Sequence, residues 1–166
     1  MLLIALLFFQ FTAPFHSNIP QPSPRPLSST DGSIRQMERS AFDLVNRERL
    51  NKGLAPLIWS DELAVIAREH SDEMAKFFYM DHTDREGRDV AGRAHDAGKD
   101  DWRSIGENLA YNSGYAAPVE HAVAGWMTSP HHRENILSGV WSQTGIGISV
   151  NSQGGYYFTQ VFYSIR

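Results

Sequence analysis

The amino-acid sequence predicts an α+β domain in which helices flank a small antiparallel sheet. Apolar residues recur at helical spacing in two segments of the first half of the chain. Near the end, residues 145–150 and 156–163 alternate with period two and are separated by the turn residues 151–155. Helices at the start of the chain and a hairpin at its end favour a fold in which layers of helix and sheet surround one core.

The first two helices have recognisable start and stop residues. Ser33 and Gln36 form a capping-box pattern, and Gly53 ends the first helix after about Lys52. The second helix is expected to follow the cap Ser60 and to bury one face. That face carries Leu63, Ile66, Ala67, His70, Met74 and Phe77.

The middle of the chain is expected to alternate short elements with loops. Residues 81–88 are dense in charge and predict an exposed loop, followed by a short helix from Val90 to Ala97. Residues 105–111 fit either a short strand or a turn. Pro118 opens a further helix, and Pro130 interrupts it.

Composition is typical of one ordinary globular domain. The chain has 166 residues, is 42% hydrophobic, contains no cysteine and carries a formal net charge of −4. This charge gives no basic footprint for nucleic acid or an anionic membrane, so neither is predicted as a partner. Without cysteine, disulfides, thiolate zinc sites and thiol nucleophiles are excluded, and any metal must be held by His, Asp or Glu.

The amino end is interpreted as an export leader followed by a linker. Residues 1–11 form an apolar run shorter than the ~20 residues that span a bilayer as a helix, so residues 1–16 are assigned to a signal peptide or membrane-targeting leader. A buried amino-terminal helix is the alternative, but prolines and serines in residues 17–32 favour an extended linker. The folded domain is then 33–166, and we expect it to be secreted, periplasmic or associated with the cell envelope.

Five short motifs follow one another over one domain length. They are Asp81-His82-Thr83, Gly106-Glu107-Asn108-Leu109-Ala110, the run WMTSPHHRENIL from Trp126 to Leu137, Gly145-Ile146-Gly147 and Phe158-Thr159-Gln160-Val161-Phe162. In this order they resemble the bacterial branch of the CAP superfamily, whose domain is also called SCP. The superfamily comprises cysteine-rich secretory proteins, antigen 5 and plant pathogenesis-related class 1 proteins. The resemblance covers roughly residues 35–163 and implies a three-layer α/β/α sandwich.

The resemblance also implies a cleft with two His and two Glu that can bind a divalent metal. His82 corresponds to the first His, Glu107 to the first Glu and His132 to the second His. Ser129 stands at the position of the second Glu, so two imidazoles and one carboxylate remain. With water, these three ligands would make an open Zn²⁺ site. The alternative is a metal-free polar cleft in which Glu107 accepts hydrogen bonds from both imidazoles.

Further side chains are expected at or near this cleft. Neighbours on a helix point about 100° apart, so only one of His131 and His132 can face it, and His131 is placed at the rim. Asn108 is also assigned to the cleft, where we expect it to form hydrogen bonds with the local backbone. Ser129 is assigned to the cleft as a polar residue. An aromatic groove for a ligand is predicted from Tyr111, Tyr115 and Tyr79.

Other polar residues have simpler expected roles. His70 is interpreted as a satisfied core histidine because it lies on an apolar helix face. His95 and His121 are expected in solvent. Arg133 is a candidate bidentate partner for a carboxylate in the core.

Two classes of function fit these residues. The first, favoured class is a monomeric, non-enzymatic binding module for a lipid, peptide or cell-envelope ligand. The second is a hydrolase, with either a metal-activated water or Ser129 as nucleophile, His132 as base and Glu107 as orienting group. No G-x-S-x-G turn surrounds Ser129, and no catalytic residue is assigned.

Overall fold

Five helices and four strands follow one another in residues 29–165, which the computed structural model describes, with side chains described from residue 32. They are α1 (Ser29–Asn51), β1 (Ile58–Trp59), α2 (Asp61–Phe77), α3 (Val90–Asp96), β2 (Trp102–Asn112), α4 (Pro118–Thr128), α5 (Pro130–Ile136), β3 (Gln143–Val150) and β4 (Tyr156–Ile165). The predicted leader, residues 1–16, and most of the predicted linker lie outside the described residues. Within the described residues 29–165, every helix is too short or too polar to cross a bilayer.

The four strands form one sheet in the order β1-β3-β4-β2. The three long strands are antiparallel and include the predicted terminal hairpin of β3 and β4. Residues 105–111, which fitted a strand or a turn, lie inside the 11-residue strand β2. The predicted connector before Ser60 contributes β1, which pairs in parallel with β3 and makes the sheet mixed at this edge.

Helices cover both faces of the sheet, which confirms the three-layer α/β/α sandwich. Side chains of β4 alternate between two cores, as the period of a strand requires. Phe158 and Phe162 pack with α1, α4 and α5, whereas Val161 and Tyr163 pack with α2 and α3. The sheet therefore separates two helical layers.

Two glycines of β3 let α2 lie directly on the sheet. A Cβ at Gly145 would lie 2.1 Å from the backbone nitrogen of Ala64, and a Cβ at Gly147 would lie 2.2 Å from that of Arg68. Neither position has room for a side chain, so the close contact needs glycine. This packing holds α2, and with it the loop that follows α2, against the sheet.

Two local predictions are wrong, and one buried residue lies in a loop that is otherwise largely exposed as predicted. α1 begins at Ser29 rather than at Ser33. Residues 29–31, Ser-Thr-Asp, are also typical of the start of a helix, so the sequence offered two possible first residues and no means of choosing between them. Phe77 is 42% exposed, since it is the last residue of α2. Asp84 lies in the loop expected to be exposed but is buried, because it accepts hydrogen bonds from backbone nitrogens of the same loop and from Arg88.

Candidate functional site

Glu107 lies in the middle of β2, and its side chain is only 2% exposed. Its oxygens have different partners. Oε1 accepts a hydrogen bond from His82 Nδ1 at 2.8 Å, and Oε2 accepts one from Arg93 Nη2 at 2.5 Å. The buried carboxylate is therefore engaged on both sides, by an imidazole of the loop after α2 and by a guanidinium of α3.

Arg93 is a site residue that the sequence analysis missed. Its Nη1 also donates to the carbonyl oxygens of His82 at 3.1 Å and Arg88 at 3.0 Å. Arg93 thus binds the Glu107 carboxylate and the backbone of the His82 loop together. The feature that could have indicated Arg93 is its position next to Ala94 in the short helix α3, where both residues are buried. Arg133, the predicted carboxylate partner, is exposed instead.

His82 connects this network to solvent, because its side chain is 58% exposed. The hydrogen bond to Glu107 raises the pKa of His82 above its usual value. Behind it, the buried His70 donates from Nε2 to the carbonyl of Asp81 at 2.9 Å. Burial lowers the pKa of His70, which favours its neutral form. His70 is the predicted core residue, and it also holds the backbone next to His82.

His132 lies in α5, beside the network but not bonded to it. Its pKa is lowered by burial and by the positive charge of His82, so the two imidazoles interact electrostatically. In the described part of the chain, His132 makes no hydrogen bond or ion pair with Glu107. The structure therefore brings His82 and Glu107 together and leaves His132 adjacent.

These donors do not fit the predicted three-ligand zinc site. Both oxygens of Glu107 are already taken by His82 and Arg93. Among residues 29–165, no three His, Asp or Glu side chains are grouped so that they could hold a metal ion. Of the two imidazoles predicted to bond Glu107 in a metal-free cleft, His82 does so, and Arg93 instead of His132 is the second partner.

A cavity of about 230 Å³ lies between β2, α4 and α5. It gathers three of the predicted cleft residues, Tyr111, Ser129 and His132, with the additional residue His121. The remaining lining residues are Leu109, Ala110, Ala122, Gly125 and Trp126. The cavity is thus lined by apolar side chains together with hydroxyls and two imidazoles.

Two residues that line this cavity, Tyr111 and His121, pack against further aromatic rings. The rings of Tyr115 and His121 are stacked with centroids 3.5 Å apart, and Tyr111 packs on Tyr157 at 4.8 Å. His121, expected in solvent, is indeed exposed but also lines the cavity. Tyr79 is turned toward the core and donates a hydrogen bond to Glu73 at 2.9 Å.

Two predicted cleft residues lie away from the cavity surface. Asn108 is 0% exposed, donates to the carbonyl of His132 at 3.0 Å and accepts from Asn135 at 2.9 Å. It ties α5 to β2 and so positions the backbone of His132. The side chain of His131 is 96% exposed and faces solvent.

Ser129 lies between α4 and α5 and lines the cavity with His132. Within residues 29–165 its hydroxyl makes no hydrogen bond to His132. The third member of the hydrolase hypothesis, Glu107, is bonded elsewhere. A Ser-His-Glu relay is therefore not assembled in this conformation.

The sequence and the fold match known proteins. The family model of the cysteine-rich secretory protein family, CAP, matches residues 42–162. Over 125 residues the chain is 33% identical to the uncharacterized membrane protein YlbC of Bacillus subtilis, covering 75% of this chain and 34% of that protein. Over 138 residues it is 32% identical to the uncharacterized protein YkwD of Bacillus subtilis, covering 81% of this chain and 50% of that protein. The chain spans between a third and a half of these curated relatives.

Solved structures agree on the fold. An extracellular protein containing a SCP domain from Bacillus anthracis superposes with a TM-score of 0.69 at 26% identity, covering 84% of this chain and 44% of that chain. An outer surface protein from Borrelia burgdorferi superposes with a TM-score of 0.72 over 80% of this chain and 96% of that chain; its 18% identity shows the fold alone. With the family match over residues 42–162, the chain belongs to the CAP, or cysteine-rich secretory protein, family, although it contains no cysteine itself.

Proposed function

We propose that this CAP domain is a secreted or envelope-associated binding module, not an enzyme, and that it binds a lipid, peptide or cell-envelope ligand as a monomer. One observation carries the proposal. Both oxygens of Glu107, the only carboxylate predicted for the cleft, are engaged by His82 and Arg93. A carboxylate held in this way ties the His82 loop and α3 to β2, which is a bracing role.

The cavity beside this network suits an amphipathic ligand. Tyr111, which is 47% exposed, offers an aromatic surface, which favours an apolar or ring-shaped part of a ligand. Ser129 and His132, on the same cavity, offer a hydroxyl and an imidazole to a polar part. The extracellular location is supported by the wording of one solved relative, which is named as an extracellular protein.

Calorimetry with defined probes tests the proposal. The full chain is titrated with soluble muropeptides and with monomeric short-chain phosphatidylglycerol. We expect one of them to bind, and Tyr111→Ala and His132→Ala to weaken that binding at least tenfold. His95→Ala is the matched control, because His95 is exposed and pairs with Asp100 outside the cavity. Binding that survives both cavity substitutions, or no binding of any probe, would overturn the proposal.

Mass spectrometry of the same probes separates the binding module from a hydrolase. After prolonged incubation we expect unchanged probe masses, since no relay joins Ser129, His132 and Glu107. Cleavage products that disappear with Ser129→Ala or Glu107→Gln would establish the hydrolase instead.

Zinc titration tests the metal-free form of the cleft. We expect no binding of Zn²⁺ at micromolar affinity to the full chain, because the described residues contain no group of three His, Asp or Glu side chains placed to hold the ion. Micromolar binding that is lost in both His82→Ala and His132→Ala would place a metal in the cleft and contradict the proposal.

A further inference from the structure

A separate feature lies at the carboxyl end of α2, where three large apolar side chains face solvent within four residues. Phe77 is 42%, Phe78 49% and Met80 55% exposed. Tyr79, between them, is turned inward and bonded to Glu73. We call Phe77, Phe78 and Met80 the apolar patch. Grouped exposure of this kind marks interaction surfaces, whereas single exposed apolar residues are ordinary.

Phe78 has a backbone conformation that a phenylalanine rarely adopts. Its φ is 57° and its ψ is 45°, in the left-handed region, and it is the only non-glycine residue with positive φ among those described. Glycine is the usual residue at this position after a helix, because a Cβ is disfavoured there. Folding alone gives no reason for a half-exposed phenyl ring at such a position, so the ring points to a role outside the fold.

Two cations lie against the patch without carboxylate partners. The guanidinium carbon of Arg85 lies 3.8 Å from the ring centroid of Phe77, and Lys76 Nζ lies 5.1 Å from it. Neither cation forms an ion pair within residues 32–165, in contrast to Arg88 and Arg93 nearby. Their charges are therefore available to an external anion.

Most carboxylates nearest in sequence are occupied by the protein, including Glu86, which pairs with Arg88. The exception is Asp72, one helical turn before Lys76, which is exposed and has no hydrogen-bond or ion-pair partner among the described residues. Glu73 accepts from the Tyr79 hydroxyl and from the backbone nitrogen of Arg85. Asp81 accepts from the backbone of Thr83, and Asp84 pairs with Arg88. The patch thus combines exposed aromatic and sulfur-containing side chains with two unpaired cations at its border.

We propose that this surface docks the domain on an anionic lipid bilayer. Phe77, Phe78 and Met80 enter the interface, and Lys76 and Arg85 contact lipid phosphates. Apolar and aromatic residues bordered by Lys and Arg are the composition of interface-binding surfaces. The net charge of −4 opposes adsorption of the chain as a whole, so docking requires this local orientation and weakens with salt. Since Met80 shortly precedes His82, docking brings the cleft close to the headgroups.

The absence of cysteine in the chain allows a site-specific test. Met80→Cys in the full chain is labelled with an environment-sensitive nitrobenzoxadiazole probe and titrated with vesicles. Val140→Cys, at an apolar position that is likewise 55% exposed, is the matched control. Both proteins carry the same residues 1–28, so any contribution of that segment is common to them.

We expect a blue shift and a several-fold rise in emission at position 80 with vesicles of phosphatidylglycerol and phosphatidylcholine. We expect little change with phosphatidylcholine alone, at high salt, or at position 140. No response at position 80, or equal responses at both positions, would overturn the proposal. The first of these results would leave a protein partner as the occupant of the patch.

Phe78→Gly separates docking from a purely structural role. Glycine fits the left-handed conformation, so we expect a higher Tm together with a several-fold smaller vesicle response at position 80. Lys76→Gln with Arg85→Gln is expected to reduce the response to anionic vesicles with the fold intact. A lower Tm, or an unchanged vesicle response, in Phe78→Gly would contradict the proposal.

Ligand binding in the cleft and docking by the apolar patch can be tested independently. Tyr111→Ala removes an aromatic wall of the cavity but is expected to keep the vesicle response. Loss of cleft binding with docking intact, or the reverse, therefore tells which of the two proposals fails.

Discussion

Glu38 and Glu107 are both buried carboxylates held by an arginine, yet their surroundings differ. Glu38 accepts from Arg68 Nε at 2.9 Å and Nη2 at 2.6 Å, and from the backbone nitrogen of Ile148 at 3.3 Å. These bonds join α1, α2 and β3 at the edge of the sheet. Glu107 shares its oxygens between Arg93 and His82, and His82 is more than half exposed.

The difference shows how one motif serves two purposes. A carboxylate closed by a bidentate arginine is a structural clasp, because its main partners stay within the fold. Burial raises the pKa of Glu38 to about 7, so titration does not separate the two sites. What differs at Glu107 is that an imidazole takes one oxygen and, being more than half exposed, carries the network to solvent. Glu38 therefore stabilises the sandwich, and Glu107 stabilises a surface that can meet a ligand.

Removing the arginine of the cleft network should have the largest effect. We expect Arg93→Ala to lower the free energy of unfolding by about 3–5 kcal/mol, because Glu107 is then a buried charge with only His82 as a partner. Urea unfolding followed by circular dichroism measures the change. The control Arg133→Ala removes an exposed arginine and should stay within about 0.5 kcal/mol. A loss below 1 kcal/mol in Arg93→Ala would show that the network is more solvated than its burial indicates.

Glu38→Gln should have a smaller effect and leave the cleft unchanged. It keeps the side-chain shape and removes charge-assisted hydrogen bonds, so we expect a loss of about 1.5–3 kcal/mol in the same unfolding experiment. The affinity for the probe that binds the cavity should not change, since Glu38 contacts neither the cavity nor His82. If that affinity falls as far as in His132→Ala, the distinction between clasp and cleft is wrong.

His82→Gln should give the smallest effect, with a characteristic pH dependence. The folded state raises the pKa of His82, so its stabilisation is complete below the unfolded value of about 6.5 and is lost as pH rises through the folded value. Because the side chain is 58% exposed, we expect a Tm difference of only about 1–2 °C, largest at mildly acidic pH. Thermal melts across pH measure it, with His131→Gln as the reference. A difference that grows toward alkaline pH would reverse the sign and contradict the assigned contact.

Much of the fold was predictable because local patterns encode which face of an element is buried. The alternation in β4 places Phe158 and Val161 in different cores, as its period indicates. Gly145 and Gly147 illustrate the limit of this reasoning. The sequence shows them as small residues in a strand, and only the position of α2 shows that nothing larger fits.

Charge shows the same limit in another way. The total of −4 predicted no anionic membrane as partner, because a sum over the chain hides where charges lie. In the structure, Lys76 and Arg85 lie on the exposed ring of Phe77, and neither is paired with a carboxylate in the described region. Membrane docking depends on where these two charges lie, and the net charge of the chain does not give their positions.

By itself, the sequence determined the first two helices, the terminal hairpin of β3 and β4, and the motifs that carry His82 and Glu107. Each depends on residues that are neighbours along the chain or repeat with the period of one element. The tertiary structure alone decided that Arg93, rather than His132, completes the bonding of Glu107, and that His121 joins Ser129 and His132 around one cavity. These contacts join separate elements, and local periodicity specifies the buried face of each element but not which side chain of another element meets it.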